Sequence, residues 1–370
     1  MFQYHTKLDP ALSPQDYSSD EFFERERLRM FPRAWHFACV SGDIARPGDY
    51  YATEAAGVPI VVRNIDGELR AFRNVCLHRH CRIVAPGSGH RETLRCGYHG
   101  WEYGGEGEIA KIPDGRSFKG LHAKDMRLGR YRVESLGDLV FVNLDDDALG
   151  LRDSVGELAS ELDHFYGNHR AVWKWVLEYP VNWKIIVENA VESYHVPVMH
   201  PSTFMDYKKE EHHDHRLEPA YTSYLDIAPM GTSLTERALR TLTSLTAREV
   251  RFERAKHTHI FPNHLFDYRE ICSLYSFVEA LGPKQTRFTS VGLLPNDIKA
   301  PLITRLIQEM FRIALTRMAR KIMSEDVGIW SDVQRGVEHS EQPGVLSCRE
   351  ERVYAFQQYI RSATAGGAES

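Results

Sequence analysis

The chain lacks most of the features that assign a protein to a common functional class. No apolar run reaches the about 20 residues that a membrane-spanning helix needs. The formal net charge is −5 and there is no long basic run, so nothing indicates nucleic-acid binding. The N-terminal segment lacks the basic-then-apolar pattern of a signal peptide. We therefore expect a cytoplasmic protein, in which structural disulfides are rare.

Two further absences concern cofactors and repeats. The glycine-rich stretch GGEGEIAKIPDG (residues 104–115) neither follows a predicted strand nor opens a predicted helix, as a nucleotide-binding fingerprint would. No segment is repeated along the chain. The sequence therefore offers no flavin or nicotinamide fingerprint of its own.

Cysteine is scarce, and it is unevenly placed. Three of the six cysteines lie within residues 73–105, RNVCLHRHCRIVAPGSGHRETLRCGYHGWEYGG. In this stretch Cys76-x-His78 is followed by Cys96-x-x-His99. Two such pairs on separate loops could form a tetrahedral zinc site, or they could hold a [2Fe–2S] cluster with two histidines on one iron. Spacing alone leaves both interpretations open, although this pairing is unusual for zinc.

Hydrophobic patterning divides the chain into four segments. Residues 1–34 predict an N-terminal helical segment around DEFFERERLRMF. In residues 35–145, short alternating apolar segments between Gly, Pro, Asn and Asp predict an all-β domain. Residues 146–361 combine helical spacing with strands of an antiparallel sheet, and they predict a second domain of mixed helices and strands. The low-complexity residues 362–370 predict a disordered tail.

A second group of metal-ligand residues lies in the mixed region. His195 and His200 are five positions apart, which is not a same-face helical spacing. Pro197 between them predicts that the helix continues to this point, ends there and turns His200 back toward His195. Asp326 lies on a predicted helix otherwise rich in apolar residues. Two histidines and one carboxylate form the facial triad of non-haem Fe(II) oxygenases.

Both groups of residues resemble one known family. The loops CLHRH and CGYHGW resemble the cluster-binding loops of Rieske proteins. The pattern E-N-x-x-E-x-Y-H, followed five residues later by His, matches residues 188–200. The pattern E-D, followed by V-Q-x-G-[LV], matches residues 325–337. Together they resemble the catalytic α-subunit of Rieske non-haem iron oxygenases, the aromatic-ring-hydroxylating family.

The resemblance implies a fold and a set of cofactors. The expected fold class is α+β, with an all-β Rieske domain and a helix-grip (START-like) catalytic domain in which helices cover an antiparallel sheet. The N-terminal helical segment would belong to the catalytic domain. Cys76 and Cys96 would hold one iron of a [2Fe–2S] cluster, and His78 and His99 the other. The implied ligands of a mononuclear Fe(II) are His195, His200 and Asp326.

The resemblance also assigns roles to neighbouring residues. Glu192 would be a catalytic residue that bridges His195 to the cluster ligand His99 of a neighbouring subunit, as a path for electrons. Head-to-tail packing in a ring, most often a homotrimer, then follows. His80 stands where family members often have a small residue, and we interpret it and Cys81 as structural neighbours of the cluster.

The implied function is that of a terminal oxygenase component. Electrons from NAD(P)H would come from a separate reductase, in some systems through a ferredoxin, and a small β-subunit could accompany the chain. The chain would use O₂ to hydroxylate a small organic substrate, by family default an aromatic one. Two alternatives stay open. One is oxidative N-demethylation or C–N cleavage of an amine or quaternary ammonium compound, and the other is a Rieske electron carrier with a non-catalytic ligand-binding domain.

Other histidines and aromatic residues are predicted to be structural. The mixed charge of KKEEHHDHR (residues 208–216) predicts a solvated loop. His257 and His259 alternate on one predicted strand face, with His264 beyond them. The Phe and Tyr residues of 261–277 predict core, with an aromatic cage for a cationic substrate as the alternative.

Overall fold

The chain folds into two units, which we call the β unit (Pro32–Ser154) and the α+β unit (Met1–Phe31 with Val155–Ser370). The computed structural model describes residues 2–4, 6–201, 213–227, 241, 255–269, 272–295 and 301–365. The domain boundaries after residues 34 and 145 stay a prediction. None of the helices in the described ranges is both long enough and apolar enough to cross a membrane.

The β unit consists of antiparallel strands. One sheet has the strand order β1-β10-β9-β4-β3-β2-β5, and a smaller sheet has the order β6-β7-β8. The strands are β1 (Trp35–Val40), β2 (Asp49–Ala55), β3 (Val58–Ile65), β4 (Glu68–Arg73), β5 (Gly87–His90), β6 (Leu94–Arg95), β7 (Glu102–Tyr103), β8 (Ile109–Lys111), β9 (Arg130–Leu136) and β10 (Leu139–Asn143).

A tight hairpin joins β3 to β4. Asp66 and Gly67 both have positive φ, 51° and 95°, as a two-residue hairpin turn of right-handed twist requires. The side chain of Asn64 accepts a hydrogen bond from the backbone N–H of Gly67 at 2.9 Å. The turn brings β4 to its end at Arg73, and the loop that carries Cys76 begins directly after it.

The α+β unit has one antiparallel sheet of order β11-β17-β16-β15-β14-β13-β12. Its strands are β11 (His169–Tyr179), β12 (His213–Leu217), β13 (Tyr221–Asp226), β14 (Lys256–Ile260), β15 (His264–Arg269), β16 (Cys272–Gly282) and β17 (Gln285–Pro295). Its α-helices in the described residues are α1 (Asp20–Arg25), α2 (Leu158–Tyr166), α3 (Trp183–Val191), α4 (Val196–Met199), α5 (Leu302–His339) and α6 (Glu351–Thr364).

Helices contact both faces of this sheet. Successive strand residues point to opposite faces of a sheet. On one face, the ring of Phe266 packs on Tyr166 of α2 at a centroid distance of 5.0 Å. On the other face, His259 of β14 packs on Phe356 of α6 at 5.2 Å. The expected α+β class, with a helix-covered antiparallel sheet beside an all-β domain, is confirmed.

The N-terminal segment is anchored in the α+β unit. Glu26 forms a fully buried ion pair with Lys184 of α3, with 2.6 Å between Oε1 and Nζ. The indole N–H of Trp183 donates to the other oxygen of Glu26 at 3.2 Å. A buried charge needs such a partner, so this pair fixes the segment against α3.

Two predictions about loops need correction. The segment predicted as a solvated loop contains β12, on which His213 and His215 are buried. Nδ1 of His215 lies 3.0 Å from a carboxylate oxygen of Glu351, which compensates the polar ring. His212 lies outside the described residues. The predicted tail begins too early, because α6 continues to Thr364, and residues 366–370 lie outside the described ranges.

Candidate metal centres

Two loops of the β unit have the same internal pattern of backbone hydrogen bonds. In the loop after β4, the N–H of Cys76 donates to the carbonyl of Cys81 at 2.8 Å, and the N–H of His80 donates to the carbonyl of Cys76 at 3.0 Å. In the loop after β6, Cys96 and Trp101 are joined in the same way at 2.9 Å. The N–H of Gly100 likewise donates to the carbonyl of Cys96 at 3.0 Å.

His80 occupies the position in the first loop that Gly100 occupies in the second. Both have positive φ, 58° for His80 and 71° for Gly100. The left-handed conformation favours glycine and costs other residues about 1 kcal/mol or more. The turn therefore requires a positive φ at position 80, which a glycine would adopt easily and histidine adopts at some cost in free energy.

The paired loops bring the four predicted cluster residues together. Burial, opposed by a hydrogen bond from Tyr103, raises the pKa of the Cys76 thiol, and the neighbouring Cys96 thiol adds to this rise. The rings of His78 and His99 lie 4.6 Å apart. Nδ1 of His78 is buried and has no hydrogen-bond partner. Two buried thiols beside two imidazoles, one with an orphaned nitrogen, fit a cluster held by two cysteines and two histidines.

Aromatic side chains surround these residues. Trp101 stacks on His78 with a 4° angle between the rings and a centroid distance of 5.1 Å. The hydroxyl of Tyr103 lies 3.1 Å from Sγ of Cys76 and accepts a hydrogen bond from the N–H of Leu77 at 2.9 Å. Since that N–H occupies a lone pair of the hydroxyl, its proton is free to point at the sulfur. Sequence reasoning missed Tyr103.

The second candidate centre lies in the α+β unit. Ligand atoms of His195, His200 and Asp326 lie within 4.8 Å of one another. Oδ1 of Asp326 is 3.0 Å from Nε2 of His200 and 3.9 Å from Nε2 of His195. This oxygen is buried and forms no hydrogen bond of good geometry in the described part of the chain. An orphaned carboxylate oxygen facing two imidazole nitrogens is a donor set that suits Fe(II).

The local structure around the histidines differs from the prediction. Helix α3 ends at Val191 and does not continue to Pro197. Pro197 lies in the first turn of the separate helix α4, which tolerates proline because its N–H groups have no intrahelical acceptor. His195 and His200 flank α4 on either side, and one turn of helix between them brings both rings to one place, 5.3 Å apart.

Each of the two histidines has a carboxylate on its Nδ1. Glu192 contacts Nδ1 of His195, although Glu192 lies beyond the end of α3 and shares no helical face with it. Glu325 lies 2.6 Å from Nδ1 of His200. These contacts leave Nε2 of both rings directed toward Asp326. Sequence reasoning found Glu192, but it used Glu325 only as part of a motif.

Burial and charge act in opposite directions on these groups. Burial lowers the pKa of His195, but the hydrogen bond and the charge of Glu192 outweigh it and raise the pKa overall. Burial also raises the pKa of Asp326, which the two neighbouring histidines oppose. A cation at this point would relieve the cost of burying the carboxylate.

Helix α5 is held against α3 by two polar contacts. The indole N–H of Trp330 donates to the side-chain oxygen of Asn189 at 2.7 Å. The backbone N–H of Asn182, the N-cap of α3, donates to the side-chain oxygen of Gln334 at 2.7 Å. Because Trp330 lies one turn after Asp326, these contacts set the position of the carboxylate relative to the two histidines.

Three histidines of β14 and β15 contact partners of their own and lie outside this group. His257 contacts Nη2 of Arg352 at 2.8 Å, and His264 contacts the hydroxyl of Tyr275 at 2.8 Å. Nε2 of His259 lies 2.8 Å from the carbonyl of Pro262. The aromatic rings of 261–277 pack on one another and on rings of α2 and α6, as the structural interpretation expects.

Comparison with known families gives two matches. Residues 167–366 match the family described as ring hydroxylating alpha subunit (catalytic domain). Residues 34–128 match the Rieske [2Fe–2S] domain. The resemblance seen in the sequence is thereby confirmed for both units.

Individual relatives include both ring dioxygenases and amine monooxygenases. The chain is 32% identical to the benzene 1,2-dioxygenase subunit alpha of Pseudomonas putida over 198 residues, 51% of this chain and 43% of the relative. It is 30% identical to the carnitine monooxygenase oxygenase subunit of Acinetobacter baumannii over 189 residues, 50% and 51% of the two chains. The matched part thus spans about half the length of these relatives.

Solved structures resemble the chain over nearly its whole length. A quaternary ammonium Rieske monooxygenase superposes with a TM-score of 0.79 at 21% identity, covering 97% of this chain and 96% of the other. Naphthalene 1,2-dioxygenase from Rhodococcus sp. superposes with a TM-score of 0.74 at 20% identity, covering 95% and 94%. At these identities the likeness establishes the fold.

Proposed function

The chain belongs to the ring-hydroxylating α-subunit family, and from that premise we propose that it is the terminal oxygenase component of a Rieske-type multicomponent system. The observation that carries the proposal is the group formed by His195, His200 and Asp326, in which two imidazole Nε2 atoms face a buried carboxylate oxygen without a hydrogen bond. Fe(II) bound by these three residues would supply the activation of O₂ beside an organic substrate.

The residues of the chain would prepare this site in three ways. Asp326 supplies negative charge in a buried position, which favours a cation. Glu192 and Glu325 accept from Nδ1 of the two histidines, so each ring keeps the tautomer whose Nε2 lone pair points to the metal. The packing of α5 on α3 keeps these groups together.

Electrons would reach this site from the Rieske domain of a neighbouring subunit. Cys76, His78, Cys96 and His99 would hold the [2Fe–2S] cluster, whose chemistry is one-electron transfer. Glu192 would bridge His195 to the neighbouring subunit's cluster ligand. The surfaces next to these residues suit an interface, because Tyr98 beside His99 is 56% exposed and Tyr194 beside His195 is 58% exposed.

A ring of subunits and separate redox partners follow from this route. Head-to-tail contacts close into a ring, and we propose a homotrimer. A reductase would supply electrons from NAD(P)H, directly or through a ferredoxin, and a small β-subunit could join the ring. All six cysteines lie in the described residues and none forms a disulfide, which agrees with a cytoplasmic location.

For the substrate, we propose a small aromatic compound that is hydroxylated. The family and the benzene dioxygenase relative support this choice. The second candidate is oxidation of an amine or quaternary ammonium compound, which the carnitine monooxygenase relative and the glutamate at position 192 favour. The aromatic rings of 261–277, the cage candidates, are engaged with core neighbours, which is why we rank the ammonium substrate second.

Electron paramagnetic resonance of the reduced protein with nitric oxide at the mononuclear iron separates these candidates. Spectra are recorded with a small aromatic acid, with a quaternary ammonium compound and with neither. A change of the iron–nitrosyl signal with the aromatic compound alone is the expected result. A change with the ammonium compound alone would transfer the proposal to amine oxidation, and absence of any iron–nitrosyl signal in iron-loaded protein would contradict an oxygenase.

A further inference from the structure

Helix α3 ends without the glycine that often terminates a helix. Its last residue is Val191, and the backbone is extended at Glu192 (φ −111°, ψ 165°). The last carbonyl groups of a helix lack an intrahelical donor, and a glycine just past the end commonly lets the chain satisfy them. The residues that follow are Glu192-Ser193-Tyr194. The carbonyl of Val191 instead accepts a hydrogen bond of 3.0 Å from Nη1 of Arg352 on α6.

Arg352 is held rigidly for this contact. Its side chain is completely buried. Nε donates to the hydroxyl of Thr222 on β13 at 3.2 Å, and Nη2 lies 2.8 Å from Nδ1 of His257 on β14. The sheet therefore supports one side of the guanidinium, while the other side faces the end of α3. Arginine suits this place because its planar fork can address several acceptors at once, which the single ammonium of lysine cannot.

The positive charge of Arg352 faces the C-terminal end of α3, where the helix dipole is negative. Among the described residues, no carboxylate forms an ion pair with its guanidinium. Burial lowers the pKa of Arg352 to about 10, so it stays protonated at neutral pH. A buried cation without a carboxylate partner is costly, and the negative end of the α3 dipole offers compensation. Both the hydrogen bond and the charge thus point to a role at this helix end.

A second arginine contacts the far side of the same turn. The guanidinium carbon of Arg349, which precedes α6, lies 5.2 Å from the ring centre of Tyr194. Within this turn, the carboxylate of Glu192 accepts from the backbone N–H groups of Tyr194 and His195 and contacts Nδ1 of His195. The turn from α3 to His195 is therefore held from both ends by the region around α6.

We propose that Arg352 is a positioning residue for electron delivery, because its cap on α3 fixes the turn that presents Glu192 and orients His195. This inference rests on the proposed function, in which electrons enter through Glu192. Without the cap, the end of α3 would be free to fray or extend, and the carboxylate of Glu192 would lose its fixed place between the two backbone N–H groups and the imidazole.

The test compares three variants with the wild-type holoenzyme. Arg352→Gln removes the charge and the fork, and Arg352→Lys keeps only the charge. Arg361→Gln is the matched control, since Arg361 lies on the same helix, is exposed, and donates to a backbone carbonyl elsewhere, that of Ala11 at 3.2 Å. If Arg352→Gln does not fold, Arg352→Lys, which lacks the fork, carries the test.

Two measurements are made on each protein. Hydrogen exchange with mass spectrometry reports the protection of the N–H groups of Tyr194 and His195 and needs no activity. Single-turnover oxidation of the prereduced cluster, with O₂ and each of the two substrate probes, reports electron delivery. We expect exchange in this turn to become about tenfold faster in Arg352→Gln, as for loss of a helix cap. Cluster oxidation should slow by a similar factor, with cluster potential and iron content unchanged. Arg352→Lys should lie between, and Arg361→Gln should match wild type.

The outcomes distinguish the inference from the function on which it rests. Unchanged exchange in Arg352→Gln, or in Arg352→Lys if Arg352→Gln does not fold, overturns the inference whether or not the enzyme is active. Faster exchange with wild-type cluster oxidation overturns the role in electron delivery. If the wild-type cluster is not oxidised with either probe, the proposed function fails, while the exchange data still decide whether Arg352 caps α3.

Discussion

Oε2 of Glu325 lies 2.6 Å from Nδ1 of His200. The next residue, Asp326, places its Oδ1 3.0 Å from Nε2 of the same imidazole ring. Two consecutive residues of α5 thus address the two nitrogens of one imidazole. Glu325 fixes the ring and its tautomer, and Asp326 is left to face the proposed iron. The geometry of the proposed ligands would then depend on a carboxylate that is not itself a ligand.

Glu325→Gln should therefore weaken iron binding by about 10- to 100-fold, because an amide can still contact Nδ1 but no longer supplies the charge that favours the required tautomer. Iron content after dialysis against a graded chelator series measures this change. The control is Glu309→Gln on the same helix, where the exposed carboxylate pairs only with Arg312. Equal retention of iron by both variants would show that Glu325 is not needed to orient His200.

Asp326→Ala should abolish binding of the mononuclear iron and leave the cluster intact. The two centres lie in different units, so the loss should be confined to one of them. Metal analysis gives the iron content, and the electron paramagnetic resonance signal of the reduced cluster gives its occupancy. Asp332→Ala on the same helix, where the carboxylate is exposed, is the control. If Asp326→Ala still forms product, the proposed iron ligands are wrong. If neither wild type nor Asp326→Ala forms product and both transfer electrons at the same rate, the protein is an electron carrier.

Glu192→Gln should keep both metal centres and slow oxidation of the cluster by about 10- to 100-fold in a single turnover. The amide of glutamine carries no negative charge, so it is a weaker acceptor for the Nδ1–H of His195 than the carboxylate. It also relays a proton less readily. Stopped-flow absorbance of the cluster after mixing with O₂ and substrate follows the step. Glu192→Asp should recover part of the rate, because the carboxylate is retained at a shorter reach. A wild-type rate in Glu192→Gln would remove this residue from the electron route.

Tyr103→Phe should lower the reduction potential of the cluster by on the order of tens of mV. The hydroxyl is 3.1 Å from Sγ of Cys76, and a donated hydrogen bond stabilises the reduced, more negative cluster more than the oxidised one. Protein-film voltammetry or a dye-coupled titration gives the potential. Tyr98→Phe, which changes an exposed tyrosine beside His99, should leave the potential unchanged. A potential equal to wild type in Tyr103→Phe would mean that the hydroxyl proton points elsewhere.

The candidate ligand residues could be named from the sequence, because metal chemistry restricts residue type and spacing. Cys76, His78, Cys96 and His99 follow the order of the cluster loops, and the structure brings their loops together through matching hydrogen bonds. The assignment of all seven residues as ligands stays a prediction that the variants above test.

The contacts around the ligands were less predictable, because they depend on how distant segments pack. The partnership of Glu325 with His200 requires the position of α5 on α3, which the Trp330–Asn189 hydrogen bond maintains across 141 residues of sequence. Pro197 was misread because a proline that ends one helix and a proline that begins the next have the same local signal. His213 and His215 were assigned to a solvated loop because their burial depends on partners such as Glu351, far along the chain.

Glu188 gives a prediction for the pH dependence of stability. Its side chain is half-buried, and burial raises the pKa of the carboxyl to about 7 in the folded protein, despite hydrogen bonds from Tyr17 and Gln357. A carboxyl whose pKa is raised on folding stabilises the fold most below its unfolded pKa, near 4.5, and this stabilisation is lost as the pH rises through 7.

Glu188→Gln keeps an acceptor for Tyr17 and does not ionise. Relative to wild type, its free energy of unfolding should therefore improve by about 3 kcal/mol between pH 4.5 and pH 8. Urea unfolding at several pH values measures the difference, and Glu309→Gln at an exposed position should follow wild type. Parallel curves for Glu188→Gln and wild type would mean that folding does not raise the pKa of Glu188.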